Sequence, residues 1–246
     1  MATSIDAFLN EAGAEVLKSE RAPEFLLPTL IMPVAFYTLF AVVLPGGSEQ
    51  AAYLLATFGV FTVMGPAIFG FGVAVAAERE KGWLDLKRVA PAPAGSYIGA
   101  KLVATLIFAG IALAMLYAIA GFVAGVELPR TTWLALLGVH LLAAIPFALL
   151  GMTLGFLMNS NGAIAVSNIV FLALSALGGL WIPIFVFPEI MQTIAKALPS
   201  YHLGVLALGV SGAPGEHDTL GSLAAISAMT LGLAVLTVFA WSRQKS

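Results

Sequence analysis

The sequence predicts an all-α membrane protein in which six transmembrane helices form a single domain over residues 1–246. Of the 246 residues, 60% are hydrophobic and 10% are charged, whereas an ordinary soluble domain has about 25% charged residues. The mean hydropathy is +1.00, and the apolar residues fall into runs of the length that crosses a bilayer, about 20 residues. The absence of cysteine excludes disulfides, thiolate metal sites and cysteine nucleophiles.

Residues 1–24 are predicted to form a helix that lies in the membrane interface. Apolar residues such as Phe8 and Val16 fall on one side at helical spacing, and acidic residues such as Glu11 and Glu15 fall on the other. The segment has neither the basic n-region nor the apolar core of a cleaved signal peptide. We therefore expect the first span to act as an uncleaved anchor.

The six spans follow from uncharged length and from the prolines, glycines and charges that end each apolar run. They are predicted at residues 25–44, 51–77, 98–124, 132–158, 163 to about 181, and about 220–241. Spans one and two thus lie within residues 25–77, spans three to five within 98–182, and span six with its tail within 220–246.

Residues 183–219 separate the last two spans and are expected to form short re-entrant helices on the outer side. Pro183 and Pro188 interrupt the fifth apolar run, and residues 189–198 then carry an apolar face at helical spacing. Apolar backbone that does not span needs other parts of the protein to satisfy its polar groups.

The charged segment, residues 78–101, contains five of the eleven basic residues and separates spans two and three, with a loop at residues 78–97. With six spans, nine basic residues fall on the side of this segment and of both termini, and two fall on the other side. Because basic residues are retained in the cytoplasm during insertion, the segment and both termini are predicted to be cytoplasmic.

Two interpretations of the charged segment stand side by side. Its basic residues alone would enforce topology and bind anionic lipid headgroups. Alternatively, residues 78–89 are compatible with a helix apart from Gly82, and they carry an apolar strip that includes Trp83 and Leu86. The mixed charge and the stop at Pro91 favour an amphipathic helix that docks in a groove of another protein.

The motifs of several enzyme classes are missing. No phosphate-binding loop and no G-x-G-x-x-G is present, so we expect no ATP hydrolysis by this chain. The histidines, His140, His202 and His217, match no metal motif, and neither H-E-x-x-H nor G-x-S-x-G occurs. All thirteen acidic residues lie in loops, tails or span edges. His140, inside span four, is predicted to be a structural donor to a neighbouring carbonyl rather than a proton relay.

The charged segment, E-R-E-K-G-W-L-D-L-K-R-V-A-P-A-P, resembles the E-R-E-x-G-T-L-E segment of the permease subunits of type-two ATP-binding-cassette exporters. In that family the segment is a cytoplasmic coupling helix seated in the nucleotide-binding subunit. The matching positions are Glu78, Arg79, Glu80, Gly82, Leu84, Pro91 and Lys101, while Trp83 replaces the usual Thr and Asp85 the usual Glu. The segment around Pro28 and the outer L-P-S-Y-H-L resemble the family's interfacial elbow and its turn before span six.

The resemblance implies the membrane subunit of an ATP-driven exporter in the cell (inner) membrane. Two permease chains would pair above two ATPase subunits, which would bind ATP and Mg²⁺. No catalytic residue, metal site, cofactor or nucleic acid is expected on this chain, which would contact membrane lipid. The residues implied to couple to the ATPase are Glu78, Arg79, Glu80, Gly82, Trp83, Leu84, Asp85, Arg88 and Pro91.

Two alternatives remain: a stand-alone secondary carrier, and a membrane scaffold or an enzyme of lipid metabolism. The missing intramembrane acids disfavour the carrier. The lack of convergent polar residues in the spans disfavours the other. The residues leave open both the substrate and whether the second permease chain is a copy of this one.

Overall fold

The computed structural model describes residues 4–20, 23–84, 86, 94–214 and 217–243. These residues are mainly helical and include no β-strand. The α-helices are α1 (Ser4–Glu20), α2 (Pro23–Thr38), α3 (Ala51–Glu80), α4 (Ala94–Phe122), α5 (Arg130–Leu157), α6 (Ser160–Leu177), α7 (Glu189–Ala195), α8 (Pro199–Ser211) and α9 (Thr219–Ser242). A π-helical turn, Leu39–Val43, extends α2, and short 3₁₀ turns occur at Ser48–Gln50 and Ile184–Val186.

The predicted all-α membrane fold is confirmed. Five helical segments in the described part of the chain are long and apolar enough to cross a membrane. They are Ser48–Glu80, Tyr97–Phe122, Arg130–Leu157, Ser160–Leu177 and Thr219–Ser242. A shorter apolar helix, Leu27–Val43, coincides with the first predicted span. Each predicted span therefore corresponds to one apolar helix.

Helix α3 lies at the centre of the bundle and contacts α2, α4, α5, α6 and α8. Its approach to α5 is close because two glycines of α5 face its backbone. A Cβ atom on Gly151 would lie 2.6 Å from the Ile68 carbonyl oxygen, and one on Gly155 would lie 2.7 Å from the Gly72 carbonyl oxygen. Any larger side chain at these positions would force the two helices apart.

Helix α1 confirms the helical part of the N-terminal prediction and packs mainly on α4. Ala12 and Glu15 are buried, whereas Ile5, Leu9 and Leu17 are exposed. Exposed apolar residues on a helix with charged neighbours suit a position at the membrane surface, which stays a prediction.

The segment between α6 and α9 forms two short helices, as predicted, but the turn that the family resemblance implied at residues 199–202 is wrong. Those residues are the first turn of α8, a helix of 13 residues. Pro199 suits the first helical position because no intrahelical partner exists there for an N–H. Helix α8 contacts α3, α5 and α9, and its His202 ring donates from Nε2 to the Lys196 carbonyl oxygen at 2.9 Å. Its apolar residues are therefore buried against the bundle.

One end of the bundle, called the charged end, contains α1, the last turn of α3 and the part of α4 around Lys101. The far end of α9 lies there too, because the Trp241 ring contacts the Phe156 ring at 5.1 Å between centroids. Both ends of the described chain are thus on the same side, as six crossings require.

Candidate functional site

The sequence predicted a separate coupling helix that begins at Glu78. The structure shows instead that Glu78 belongs to α3. Helix α3 continues to Glu80 and ends at a turn made by Lys81 and Gly82. The Gly82 N–H donates to the Arg79 carbonyl at 3.0 Å, and Gly82 has φ +71°, a left-handed conformation that favours glycine after a helix. Helical structure resumes at Trp83. The chain therefore changes direction within the predicted helix.

Glu78 is buried inside the protein, whereas the family resemblance had placed it on a docking surface. Its carboxylate accepts hydrogen bonds from the Lys101 ammonium at 2.9 Å, from the Lys18 ammonium and from the Tyr97 hydroxyl. Only 3% of the residue is exposed. A buried carboxylate is tolerated only with such partners, so Glu78 is tied to α1 and α4.

A second carboxylate, Glu15 of α1, completes this arrangement. It accepts from Lys101 at 2.9 Å and from Lys18 at 2.6 Å, so two acids and two bases alternate. We call Glu15, Lys18, Glu78 and Lys101 the charged cluster. Their four charges cancel, and each charge has two partners of opposite sign. The cluster joins α1, α3 and α4 at the charged end.

The two members of the cluster on α1 have shifted pKa values. Burial raises the pKa of Glu15, but the Lys101 and Lys18 ammoniums outweigh it and hold the pKa below its ordinary value of 4.5. Burial lowers the pKa of Lys18, but the Glu78 and Glu15 carboxylates outweigh it and raise the pKa above its ordinary value of 10.5. Both groups are therefore charged at neutral pH.

Arg79 fixes the other side of α3 to the end of α5. Its guanidinium donates to the carbonyl oxygen of Met158 at 2.6 Å and to that of Phe156. The last carbonyls of a helix have no intrahelical partner. Arg79 satisfies two acceptors at this end and holds the turn that follows α5.

Glu80 extends the same junction to the start of α6. Its carboxylate accepts from the Ser160 N–H at 3.1 Å and from the Ser160 hydroxyl. Ser160 is the first residue of α6, and a negative charge near a helix N-terminus is favourable. Asn159 caps the same helix by accepting from the Gly162 N–H at 2.8 Å. Arg79 and Glu80 together hold the α5–α6 turn.

The residues after the turn divide into one that is buried and others that face outward. Leu84 is buried, with 3% of its surface exposed, whereas Trp83 is 42% and Leu86 is 67% exposed. The Lys81 ammonium lies 5.1 Å from the centre of the Trp83 ring. We call Trp83 and Leu86 the outward pair. Asp85, Arg88 and Pro91, also predicted to couple, lie outside the described residues.

The geometry of His140 fits the prediction that it is a structural donor to a neighbouring carbonyl rather than a proton relay. It is fully buried, and its Nε2 lies 3.0 Å from the Ala56 carbonyl oxygen, to which it donates. Its Nδ1 lies 2.9 Å from the Tyr117 hydroxyl, which then donates to it. Both ring nitrogens are used in joining α3, α4 and α5. Within residues 4–20, 23–84, 86, 94–214 and 217–243, no group of three histidine, aspartate or glutamate side chains is placed to hold a metal ion.

Sequence reasoning missed Glu15, Lys18 and Ser160 as parts of this site. Glu15 had been assigned to the polar side of an interfacial helix, and neither Lys18 nor Ser160 had been assigned to a site. No local pattern reveals these contacts, since Glu15 and Lys101 are 86 residues apart. Buried pairing of charges next to apolar spans was the available physical clue.

Comparisons with known proteins agree with this architecture. A family model described as ABC-2 type transporter matches residues 13–210. The chain is also 32% identical over 196 residues to "Putative transport permease YvfS" of Bacillus subtilis (strain 168). That alignment covers 78% of this chain and 80% of the relative. The family match includes the charged segment and the whole charged cluster.

Proposed function

The chain belongs to the ABC-2 type transporter family, and on that basis we propose that it is the membrane subunit of an ATP-driven exporter. Family membership confirms the resemblance drawn from the charged segment and makes the chain a multi-pass membrane transport permease. ATP and Mg²⁺ would bind to separate ATPase subunits. The energy for transport would reach this chain as movement at the surface that the ATPase contacts.

The outward pair is the observation that carries the proposal. Trp83 and Leu86 are exposed directly after the turn at Gly82, while the preceding turn of α3 is held by neighbouring helices. Apolar side chains that protrude beyond a fixed helix end suit insertion into a groove of another protein. The outward pair would therefore be the part of this chain that inserts into the ATPase.

Movement of the outward pair would reach the spans through the last turn of α3. Glu78 is bonded to α1 and α4, Arg79 to the end of α5 and Glu80 to the start of α6. A displacement of this turn therefore displaces four other helices. ATP would drive the change only if the ATPase pair binds it with different affinity in the two conformations of the complex.

The remaining assembly follows the same proposal. Two permease chains would pair in the cell (inner) membrane. Two ATPase subunits would lie at the charged end, and both termini would be in the cytoplasm. Support comes from α6 and α9, which expose apolar residues such as Ile169 and Val235. A second permease chain would cover part of this surface and lipid the rest.

The test is purification of the tagged chain from its native membranes, followed by an assay of the retained ATPase activity. The double variant Trp83→Ala/Leu86→Ala is expected to lower the retained ATPase about tenfold or more, a loss of about 1.4 kcal/mol of binding. Its unfolding temperature should not change, because both side chains are exposed. The matched control is Phe185→Ala/Ile190→Ala, whose residues are exposed 78% and 71% outside the charged segment.

Equal ATPase retention by the two double variants would contradict the docking role of the outward pair. The alternative of a stand-alone secondary carrier makes a different prediction. Vesicles that contain the purified chain alone would then transport substrate without ATP, and such transport would overturn the proposed exporter.

A further inference from the structure

A long cavity of about 360 Å³ lies between α1, α2, α3 and α4. Its volume is within the range of small-molecule sites, about 300–1,000 Å³. Pro66, Phe69 and Phe108 line its apolar part, and Lys18 and Glu78 line the part at the charged end. Along α3 the lining extends from Pro66 to Glu78, about 18 Å at the helical rise. The cavity is therefore elongated, with one apolar and one polar end.

The cavity exists because one face of α3, called the uncovered face, is only partly covered by the described residues. Between residues 54 and 78 this helix is buried except at five positions. All five line the cavity, and they are Phe69, Gly70, Val73, Ala74 and Ala77. Their spacing places them on a single helical face. Protein interiors are normally packed without large voids, so a continuous uncovered face next to a closely packed core indicates an occupant.

The polar end presents positive charge to that occupant. The side chains of Glu15 and Glu78 are 6% and 4% exposed, and both are bonded to Lys101, which is 2% exposed. The four charges of the cluster cancel, so Lys81 adds the net positive charge at this end. The side chain of Lys18 is 35% exposed, and Lys81 at the mouth is exposed as well. An ammonium has three N–H groups, and Lys18 gives two of them to the cluster carboxylates. A ligand entering here meets ammonium groups rather than carboxylates.

Trp83 lines the same mouth, and the Lys81 ammonium lies 5.1 Å from the centre of its ring. Tryptophan is enriched where lipid headgroups meet the hydrocarbon of a membrane, because its ring is apolar and its N–H is polar. A tryptophan at this mouth therefore suits a position among lipid headgroups, with the apolar end of the cavity directed toward the acyl chains.

We propose that this cavity binds one anionic phospholipid from the leaflet at the charged end. Its phosphate lies between the ammoniums of Lys18 and Lys81, and one acyl chain lies along the uncovered face of α3. The length and apolar lining select a chain, and the two ammoniums select a headgroup without a compensating positive charge. The inference does not depend on the ATPase partner, because every contact is made by this chain.

The acyl-chain part of the site is tested with phosphatidylglycerol titrated into the detergent-purified chain and counted by native mass spectrometry. Gly70→Leu puts a side chain into the cavity, since a Cβ there would lie 3.5 Å from the Thr105 hydroxyl oxygen, an ordinary contact. Each methylene excluded from an apolar site lowers affinity about fourfold, so Gly70→Leu is expected to weaken binding at least about tenfold. The matched control is Gly110→Leu, whose Cβ would meet nothing within 4 Å.

The headgroup part is tested by comparing phosphatidylglycerol with phosphatidylcholine. Wild-type protein should prefer phosphatidylglycerol, and Lys81→Gln should reduce that preference about fivefold, since one phosphate contact contributes about 1 kcal/mol near a membrane surface. Lys196→Gln, which changes an exposed lysine of the outer segment, should keep the preference. Glycerol phosphate, a headgroup without chains, should not displace the lipid at equal concentration.

A thiol measurement separates loss of the site from misfolding of a variant. The chain has no native cysteine, so Ala74→Cys places a single thiol on the uncovered face of α3. Phosphatidylglycerol should slow its reaction with a maleimide at least about tenfold, which is a large protection for one bound ligand. Unchanged binding by Gly70→Leu, no protection of the thiol, equal binding of the two lipids, or displacement by glycerol phosphate would each overturn the proposal.

Discussion

Two adjacent parts of the charged segment face in opposite directions. The last turn of α3, with Glu78, Arg79 and Glu80, is directed at other helices of the same chain. The outward pair, Trp83 and Leu86, is exposed only a few residues later. The stretch that resembles a single docking motif therefore has two parts. The first, called the fastening, is the set of charged residues 78–80 that bind other helices of the same chain, and the second is the exposed outward pair.

Helix geometry explains why three consecutive residues hold so many neighbours. Successive side chains of an α-helix point about 100° apart, so residues 78, 79 and 80 are directed at different sides of α3. Glu78 contacts α1 and α4, Arg79 reaches the end of α5 and Glu80 reaches the start of α6. Gly82 then turns the chain away from the bundle. The charges therefore hold the end of α3 to its own chain, while the apolar pair stays exposed for a partner.

The largest effect is expected from removing the central carboxylate of the fastening. Glu78→Ala leaves the buried Lys101 ammonium with Glu15 alone, and breaking a buried ion pair costs about 3–5 kcal/mol. The unfolding temperature in detergent should fall by many degrees. The control is Glu49→Ala, an exposed acid of the Ser48–Gln50 turn, which should leave the unfolding temperature almost unchanged.

The same two variants also test whether Glu78 is part of the docking surface. If Glu78 belonged to the docking surface, Glu78→Ala would lose the ATPase and keep its unfolding temperature. That outcome would place Glu78 with the outward pair and would remove the division between the two parts.

A smaller effect is expected at the α5–α6 turn. Arg79→Ala removes the hydrogen bonds to the Phe156 and Met158 carbonyls, and an unsatisfied buried acceptor costs about 1–3 kcal/mol. Amide hydrogen exchange at residues 158–163 should become faster, while exchange in the middle of α3 stays slow. Arg243→Ala is the control, since its guanidinium lies over the Phe239 ring at 4.6 Å on α9. Equal exchange rates in the two variants would contradict the fastening by Arg79.

Most of the fold could be predicted because span length and apolarity are local properties of a sequence. The start of α3 at Ala51 was predicted correctly, but its end was placed at Ala77 because Glu78 was taken as the end of the membrane span. Backbone hydrogen bonding does not stop at a charge, and a charge near a helix end is stable when paired. Its partners, Glu15 and Lys101, are distant in sequence and have no local signature.

The outer segment shows a second limit of the same kind. The stretch from Pro199 was expected to be a turn because it resembles the turn before span six in the family. Proline also begins helices, and α8 is held by contacts that a local pattern does not contain. Ser200 donates to the Leu174 carbonyl at 2.7 Å, and His202 bonds to the Lys196 carbonyl. Tertiary contacts decided between the two local possibilities.

The smallest effect near neutral pH concerns the contact of α1 with the rest of the bundle through the charged cluster. The pKa of Glu15 is lowered by folding, so its stabilising contribution is complete above 4.5 and is lost as the pH falls through the lower value in the folded protein. The pKa of Lys18 is raised by folding, so its contribution is complete below 10.5 and is lost as the pH rises through the higher value in the folded protein.

A fluorophore on Leu9→Cys, an exposed position of α1 in a cysteine-free chain, should keep a constant anisotropy between these limits. Its anisotropy should fall on acidification, and adding Glu15→Gln should weaken that change, because the Glu15 carboxylate is then absent and the Lys18–Glu78 pair is what still joins α1 to α3. A transition of the fluorophore near pH 7 in the parent would show instead that α1 is not held by the charged cluster.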